Sequence, residues 1–171
     1  LYPEEKEAAR ILLNHFTADI ENELKHVDPN VQITMASTDR PDKYISDYDA
    51  EKLILALHAC PHGVIGMSHD IEGLVETSTN LASVKMGDDS TIIVGTSQRS
   101  SIESCKNMIA NQVASVFKLA GAQVTHGDGY PGWAPNPDSK ILKVAQETYK
   151  RLFNKDAKIM AIHAGLECGL F

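Results

Sequence analysis

The chain has 171 residues, 43% of them apolar, which is enough for one ordinary domain with a hydrophobic core and a little more. Its 16 basic and 23 acidic residues give a net charge of -7, and the basic residues are scattered, which argues against a nucleic-acid-binding protein. No apolar run reaches the roughly 18 to 20 residues of a membrane span, and three widely spaced cysteines without a CxxC pair indicate a reduced, cytoplasmic protein.

Both ends of the chain are unusual for free termini. The chain begins with Leu1 and enters a helical pattern at once, and it ends with the glycine-containing stretch AIHAGLECGLF. Free termini are usually polar and frayed unless something holds them. We therefore expect the chain to be a piece of a larger protein.

The first part of the chain predicts a helix, a strand and a short helix. Apolar residues at three-to-four spacing from Ala8 to Leu24 predict an amphipathic helix that ends before Pro29. Residues 31–35 alternate like a half-buried strand, and the apolar residues around 53–57 predict a short helix.

The middle of the chain predicts a β-hairpin followed by a long helix. Residues 73–86 are rich in Val, Thr and Leu, and the turn sequence GDDS leads into a second strand that ends near Arg99. Ser100, followed three residues later by Glu103, is a capping-box signature for a helix that ends at Gly121. A short strand, AQVTH, follows.

This order of elements predicts an α+β fold. It matches most of a ferredoxin-like sandwich whose first strand would precede the chain. The connector GDGYPGWAPNP, rich in Gly and Pro, leads to a predicted helix over 138–153 and a predicted strand over 158–163. We place a domain boundary in this connector, so that residues 1–127 form one domain and residues 128–171 belong to the next.

Arg99 is a candidate anion-binding residue. It lies at the exit of a predicted strand and beside the start of a predicted helix. A guanidinium in this position could hold a carboxylate with two parallel hydrogen bonds, while the helix amides add positive potential. The alternative is an ordinary solvated arginine at a strand end.

The last stretch contains a possible metal-binding pattern. His163, Glu167 and Cys168 have HxxxEC spacing, which would place the histidine and the glutamate on one face of a helix. However, Gly165 and Gly169 favour a loop, and a catalytic zinc site needs three protein ligands. We expect a loop here rather than a zinc site.

Two other features have ordinary explanations. His58, His62 and His69 surround Cys60, but their spacing matches no standard zinc pattern, and loop histidines beside a Pro-His-Gly turn are usually solvated. The YPGW stretch in the connector could form an aromatic platform, but we expect its rings to pack against the domains that it joins.

Five stretches of the sequence together resemble a known family. In chain order they are GVIGMSHDIEGLVETSTNLA, TSQRSSIES, GYPGWAPNPDSKIL, ETYKRLFNK and IHAGLECGLF. They resemble the bacterial aminoacyl-histidine dipeptidases, also called cytosolic non-specific dipeptidases, of the di-zinc metallopeptidase clan. The resemblance covers nearly the whole chain, and it is least distinctive before Ala50.

The resemblance implies that residues 1–127 are the C-terminal part of a ferredoxin-like lid domain that also forms a homodimer. Residues 128–171 would be the return segment into the catalytic domain. The family holds two zinc ions and uses a glutamate as general base, but those motifs are absent from this sequence. The resemblance therefore implies no catalytic residue and no metal ligand in this chain, which alone would be inactive.

The resemblance also implies substrate contacts. Arg99 matches the family's lid arginine, which binds the substrate carboxylate, while Gly165 and Glu167 match a loop on the substrate side of the site. His163 would be a loop residue and not a zinc ligand. The implied reaction is metal-assisted hydrolysis of dipeptides under a closing lid.

Two other functions remain open at this point. A stand-alone ferredoxin-like regulatory or dimerisation module would bind a small carboxylate at Arg99 without any metal. A small metalloprotein would bind stoichiometric zinc through His163 and Glu167, with Cys168 or the cluster around His58.

Overall fold

The computed structural model describes residues 5–39 and 41–164. The chain divides into two units, residues 1–44 and residues 45–171. No helix in the described ranges is both long and apolar enough to cross a bilayer.

The first unit contains one helix, α1 (Lys6–Leu24), as its apolar spacing predicts. Beyond it, Val31 and Ile33 are half-buried while Gln32 and Thr34 are exposed, but within residues 5–39 and 41–164 the segment forms no ladder with another strand. The predicted strand over 31–35 is therefore wrong. Alternation reports which side chains face away from water, whereas a strand also needs a neighbouring backbone to pair with.

The second unit begins with helix α2 (Asp47–Ala59), which confirms the predicted short helix. Ser46 is its N-cap, and its hydroxyl oxygen accepts a hydrogen bond from the backbone N–H of Asp49 at 3.1 Å. This bond satisfies one of the amides that a helix leaves free at its start. The helix ends at Cys60, which is followed by Pro61.

A three-stranded antiparallel sheet follows, with its strands in chain order: β1 (Gly63–Met67), β2 (Val75–Met86) and β3 (Ile92–Ser100). The predicted hairpin of β2 and β3 is confirmed. Strand β1 was not predicted, because it has only 5 residues and two of them are glycines, which disfavour strands.

Helix α3 (Glu103–Leu119) packs on one face of this hairpin. Its buried residues are Ile109, Val113, Ala114 and Phe117. Val113 and Phe117 form a core with Ala56 and Cys60 of the α2 segment, against which Leu81 of β2 and Val94 of β3 also pack. The helix ends as predicted, with Gly121 at a φ of +85°.

The final helix is α4 (Lys140–Phe153), in agreement with the prediction, and it ends at Asn154 in a left-handed conformation. The predicted strands over 122–126 and 158–163 are wrong, because neither segment pairs with another strand in the described part of the chain. Helices packed against an antiparallel sheet nevertheless make the fold α+β, as predicted.

Candidate functional site

Arg99 lies near the end of β3, directly opposite Ser78 of β2. On either side of Ser78, Thr77 and Thr79 are 2% and 3% exposed and belong to the buried face of the sheet. Because successive side chains of a strand point to opposite faces, Ser78 and Arg99 both project from the other face. Arg99 is exposed there, as expected for a residue that meets a ligand.

His163 joins these two residues from the far end of the chain. Its Nε2 atom lies 2.7 Å from the Ser78 hydroxyl oxygen, which links residues 85 positions apart. Burial lowers the pKa of His163, the nearby Arg99 guanidinium lowers it further, and a backbone hydrogen bond with Val75 opposes these effects. The imidazole is therefore neutral at neutral pH and forms a polar, uncharged wall beside Arg99.

A cavity of about 400 Å³ lies beside this end of the sheet. Its walls include Leu74, Arg99, Lys106, Tyr130, Trp133 and His163. Small-molecule sites typically measure about 300–1,000 Å³, so the cavity could hold a ligand of dipeptide size. One part of its wall is cationic and another is aromatic, and this difference suits a ligand with a carboxylate and a side chain.

Lys106 differs from Arg99 because an acidic neighbour holds it. Its Nζ lies 2.8 Å from Glu103 Oε2 and donates to the Tyr130 carbonyl oxygen at 2.6 Å. Among the ion pairs of the described residues, none involves Arg99. Among the described residues of the cavity wall, Arg99 is therefore the cation that is available to an anion.

Glu103 fixes the connector to α3. Its Oε2 accepts the backbone N–H of Gly132 at 3.0 Å, and the hydrogen bond from Lys106 and then this bond lower the pKa of the carboxyl. The capping-box prediction is thus wrong, because the N-cap of α3 is Ile102 and no side chain caps the helix. Ser100 Oγ accepts the N–H of Ile102 at 3.0 Å, but Glu103 binds the connector instead of completing the box.

The histidines around Cys60 do not form a metal site. His62 Nδ1 accepts the backbone N–H of Leu81 at 3.0 Å, so this imidazole extends the hydrogen bonding at the sheet edge. Within residues 5–39 and 41–164, no group of three His, Cys, Asp or Glu side chains could hold a metal ion. Burial raises the pKa of the Cys60 thiol, which disfavours the reactive thiolate.

The structure locates only some of the predicted site residues. It brings Arg99 and His163 to one cavity, whereas Gly165, Glu167 and Cys168 lie outside the described residues. The YPGW rings were expected to pack against the domains that the connector joins. Instead, Trp133 is 57% exposed and lines the cavity.

Sequence reasoning missed Ser78 and Lys106. A serine within a Thr/Ser-rich strand and a lysine on a helix carry no local signal of their own. The alternation of β2 could have placed Ser78 on the face of Arg99, but the contact with His163 depends on the tertiary fold.

Comparisons with known proteins show what the chain is similar to. No family model matches it. The cytosol non-specific dipeptidase of Escherichia coli (strain K12) is 38% identical over 160 residues, which make up 94% of this chain and 33% of that protein. The crystal structure of aminoacylhistidine dipeptidase from Vibrio alginolyticus superposes with a TM-score of 0.87 at 34% identity, covering 98% of this chain and 34% of that one.

The chain thus spans about a third of the length of each of these two proteins. The sequence similarity and the structural similarity both extend over nearly all of its residues. The resemblance predicted from the motifs is confirmed: the chain is homologous to a part of a dipeptidase.

Proposed function

We propose that the chain is part of a metal-dependent dipeptidase that hydrolyses aminoacyl-histidine and other dipeptides. The observation that carries this proposal is Arg99, which lies without an ion-pair partner among the described residues, in the wall of a cavity of dipeptide size. Homology to a part of the E. coli cytosol non-specific dipeptidase supports it.

In this proposal Arg99 binds the substrate carboxylate. The two parallel N–H groups of a guanidinium match the two oxygens of a carboxylate, which fixes the orientation of the peptide as well as its position. The Ser78 hydroxyl oxygen lies 2.7 Å from His163 Nε2, and this contact holds the imidazole near Arg99. The neutral imidazole adds no second charge near Arg99. Gly165 and Glu167, by family resemblance, contribute a loop on the substrate side.

The chemistry of hydrolysis is assigned outside the described residues. Water adds to the peptide carbonyl, the C–N bond breaks, and the amine leaves with a proton. The resemblance implies two zinc ions, but the described residues offer no group of three donors for one. We therefore assign neither a metal ligand nor the general base to residues 5–39 or 41–164.

The remaining parts of the proposal come from the same resemblance. Residues 1–127 would be the lid, residues 128–171 the return segment, and the lid would form a homodimer in a bacterial cytoplasm. Closure of the lid would bring Arg99 over the substrate carboxylate, shield the dipeptide from water and orient it for reaction. A stand-alone carboxylate-binding module is not favoured, because the homology is to a part of a dipeptidase.

The test is hydrolysis of β-alanyl-histidine by the full-length, metal-loaded protein, with and without chelator. We expect cleavage that the chelator stops. Arg99→Ala should lower kcat/KM about 30-fold or more, because leaving a charged partner unpaired costs about 2–5 kcal/mol. Arg99→Lys should recover only part of this loss, since an ammonium lacks the planar fork.

Two controls separate carboxylate recognition from general damage. Arg151→Ala removes an exposed arginine of α4 and should leave kcat/KM unchanged. With β-alanyl-histidinamide, which lacks the carboxylate, Arg99→Ala should cause little further loss. An equal loss on both substrates would contradict the role of Arg99, and a protein that cleaves no dipeptide would contradict the proposed function.

A further inference from the structure

The connector that follows α3 forms the aromatic part of the cavity wall. Tyr130, Pro131, Trp133 and Pro135 all line the cavity. Trp133 is 57% exposed, so much of its surface is available for contact. The two prolines restrict the backbone on either side of the tryptophan, which lowers the entropy lost when this wall is ordered.

Two hydrogen bonds hold this wall against the start of α3. Lys106 donates to the Tyr130 carbonyl at 2.6 Å, and Glu103 accepts the Gly132 N–H at 3.0 Å. Both side chains come from the first turn of α3, and they are paired with each other at 2.8 Å. The residue next to Trp133 is therefore tied to a regular helix, which places the ring relative to Arg99.

Gly132 allows the connector to come this close. A Cβ atom at this position would lie 3.0 Å from the Ser101 carbonyl oxygen and 3.1 Å from that of Ser100. These are backbone atoms, so they cannot move aside as a side chain could. The backbone at Gly132 thus packs against the residues that directly follow Arg99.

We propose that Trp133 is a specificity-determining residue that packs against the side chain of the C-terminal residue of a dipeptide whose carboxylate is bound by Arg99. This inference rests on the proposed function, because it takes its ligand from there. The carboxylate and the side chain of a C-terminal residue are both bonded to the same α carbon atom. A cationic group and an aromatic ring in one cavity of about 400 Å³ match that arrangement. The ring favours large aromatic or heteroaromatic side chains over glycine.

Fluorescence gives a test that does not depend on catalysis, because Trp133 is the only tryptophan of the 171 residues. Titration of this chain with alanyl-phenylalanine should give a saturable shift of the emission to shorter wavelength, as the ligand covers the ring. Alanyl-glycine should give a smaller shift, and Arg99→Ala should remove both. No shift, or equal shifts for the two peptides, would overturn the inference.

Kinetics of the full-length, metal-loaded protein give the second test. Trp133→Ala should lower the ratio of kcat/KM for alanyl-phenylalanine to that for alanyl-glycine at least about tenfold, as expected for lost contacts in an apolar pocket. Trp133→Phe should keep most of the ratio. Phe153→Ala is the matched control, because Phe153 is 59% exposed and is not part of the cavity wall. An unchanged ratio in Trp133→Ala would overturn the inference.

The two tests distinguish this inference from the proposed function. If the protein hydrolyses both peptides and Trp133→Ala does not change the ratio of their kcat/KM values, the dipeptidase activity is supported. The proposed role of Trp133 is then contradicted. If the protein hydrolyses neither peptide but still shows the saturable, Arg99-dependent shift, the proposed dipeptidase activity is contradicted. The contact between Trp133 and the ligand is then still supported.

Discussion

The two faces of the β2–β3 hairpin are built on different principles. The face covered by α3 carries Leu81 and Val94 against Val113 and Phe117, all of them apolar. The opposite face carries Ser78 and Arg99, which meet His163 and the connector at a cavity. The first face is covered by an apolar core, with the hydrogen-bonded side chains of Thr77 and Thr79 buried beside it, whereas the second face is polar and open to a cavity.

The difference shows how one strand pair can serve stability and binding separately. Because successive residues of a strand alternate between faces, a change on one face need not alter the other. We therefore expect substitutions under α3 to change the free energy of unfolding and those beside the cavity to change ligand binding.

Phe117→Ala should have the largest effect on stability. Phe117 is 8% exposed within the core, and truncation of a buried phenylalanine costs about 3–5 kcal/mol. Urea unfolding followed by circular dichroism would measure the loss. Leu119→Ala is the control on the same helix, because Leu119 is 89% exposed and its truncation should change stability by no more than about 0.5 kcal/mol. Similar losses in the two variants would show that the core does not lie where we place it.

Gly132→Ala should have a smaller effect, concentrated at the cavity. The added methyl group would press on the carbonyl oxygens of Ser100 and Ser101, and overpacking of this kind costs about 1–3 kcal/mol. We expect weaker binding of alanyl-phenylalanine, measured by Trp133 emission. Gly127→Ala is the control in the same connector, since Gly127 does not line the cavity and a Cβ atom there meets nothing within 4 Å. If Gly127→Ala weakened binding as much, close approach at Gly132 would not be the cause.

The core face was largely predictable from the sequence, and the cavity face was not. The spacing of Ile109, Val113 and Phe117 follows the period of an α-helix, so α3 and its buried face could be predicted. Strand pairing depends on residues that are distant in the sequence. The alternation over 31–35 therefore predicted a strand, although this segment pairs with no other strand in the described structure. Periodicity indicates burial, whereas partners are determined by the whole fold.

The candidate site shows the same division between local and tertiary information. Arg99 could be selected because its place at a strand end beside a helix start is visible in the sequence. The contact between Ser78 and His163 spans 85 positions and has no sequence pattern of its own. Glu103 was assigned to a capping box from its spacing, but the nearby N–H of Gly132 takes its carboxylate. Competition between local and tertiary partners cannot be resolved from spacing alone.

His163 gives the smallest predicted effect, and it depends on pH. Burial and Arg99 lower the pKa of the folded-state imidazole below its ordinary value of 6.5. Between the lowered pKa and 6.5, the unfolded chain binds a proton that the folded chain does not, so the free energy of unfolding rises with pH there. The stabilisation by neutral His163 is complete above pH 6.5 and is lost as the pH falls through the folded-state pKa.

Arg99, Lys106 and Asp128 are the charged residues among those that line the same cavity, and Arg99 disfavours a proton on His163. His163→Gln should therefore flatten the dependence of unfolding free energy on pH below 6.5, measured by urea titrations at several pH values. His69→Gln, at an exposed position outside the cavity, should leave the wild-type slope. An equal slope in wild type and His163→Gln would mean that neither burial nor Arg99 lowers the pKa of the folded-state imidazole, which would contradict the placement of His163 beside Arg99.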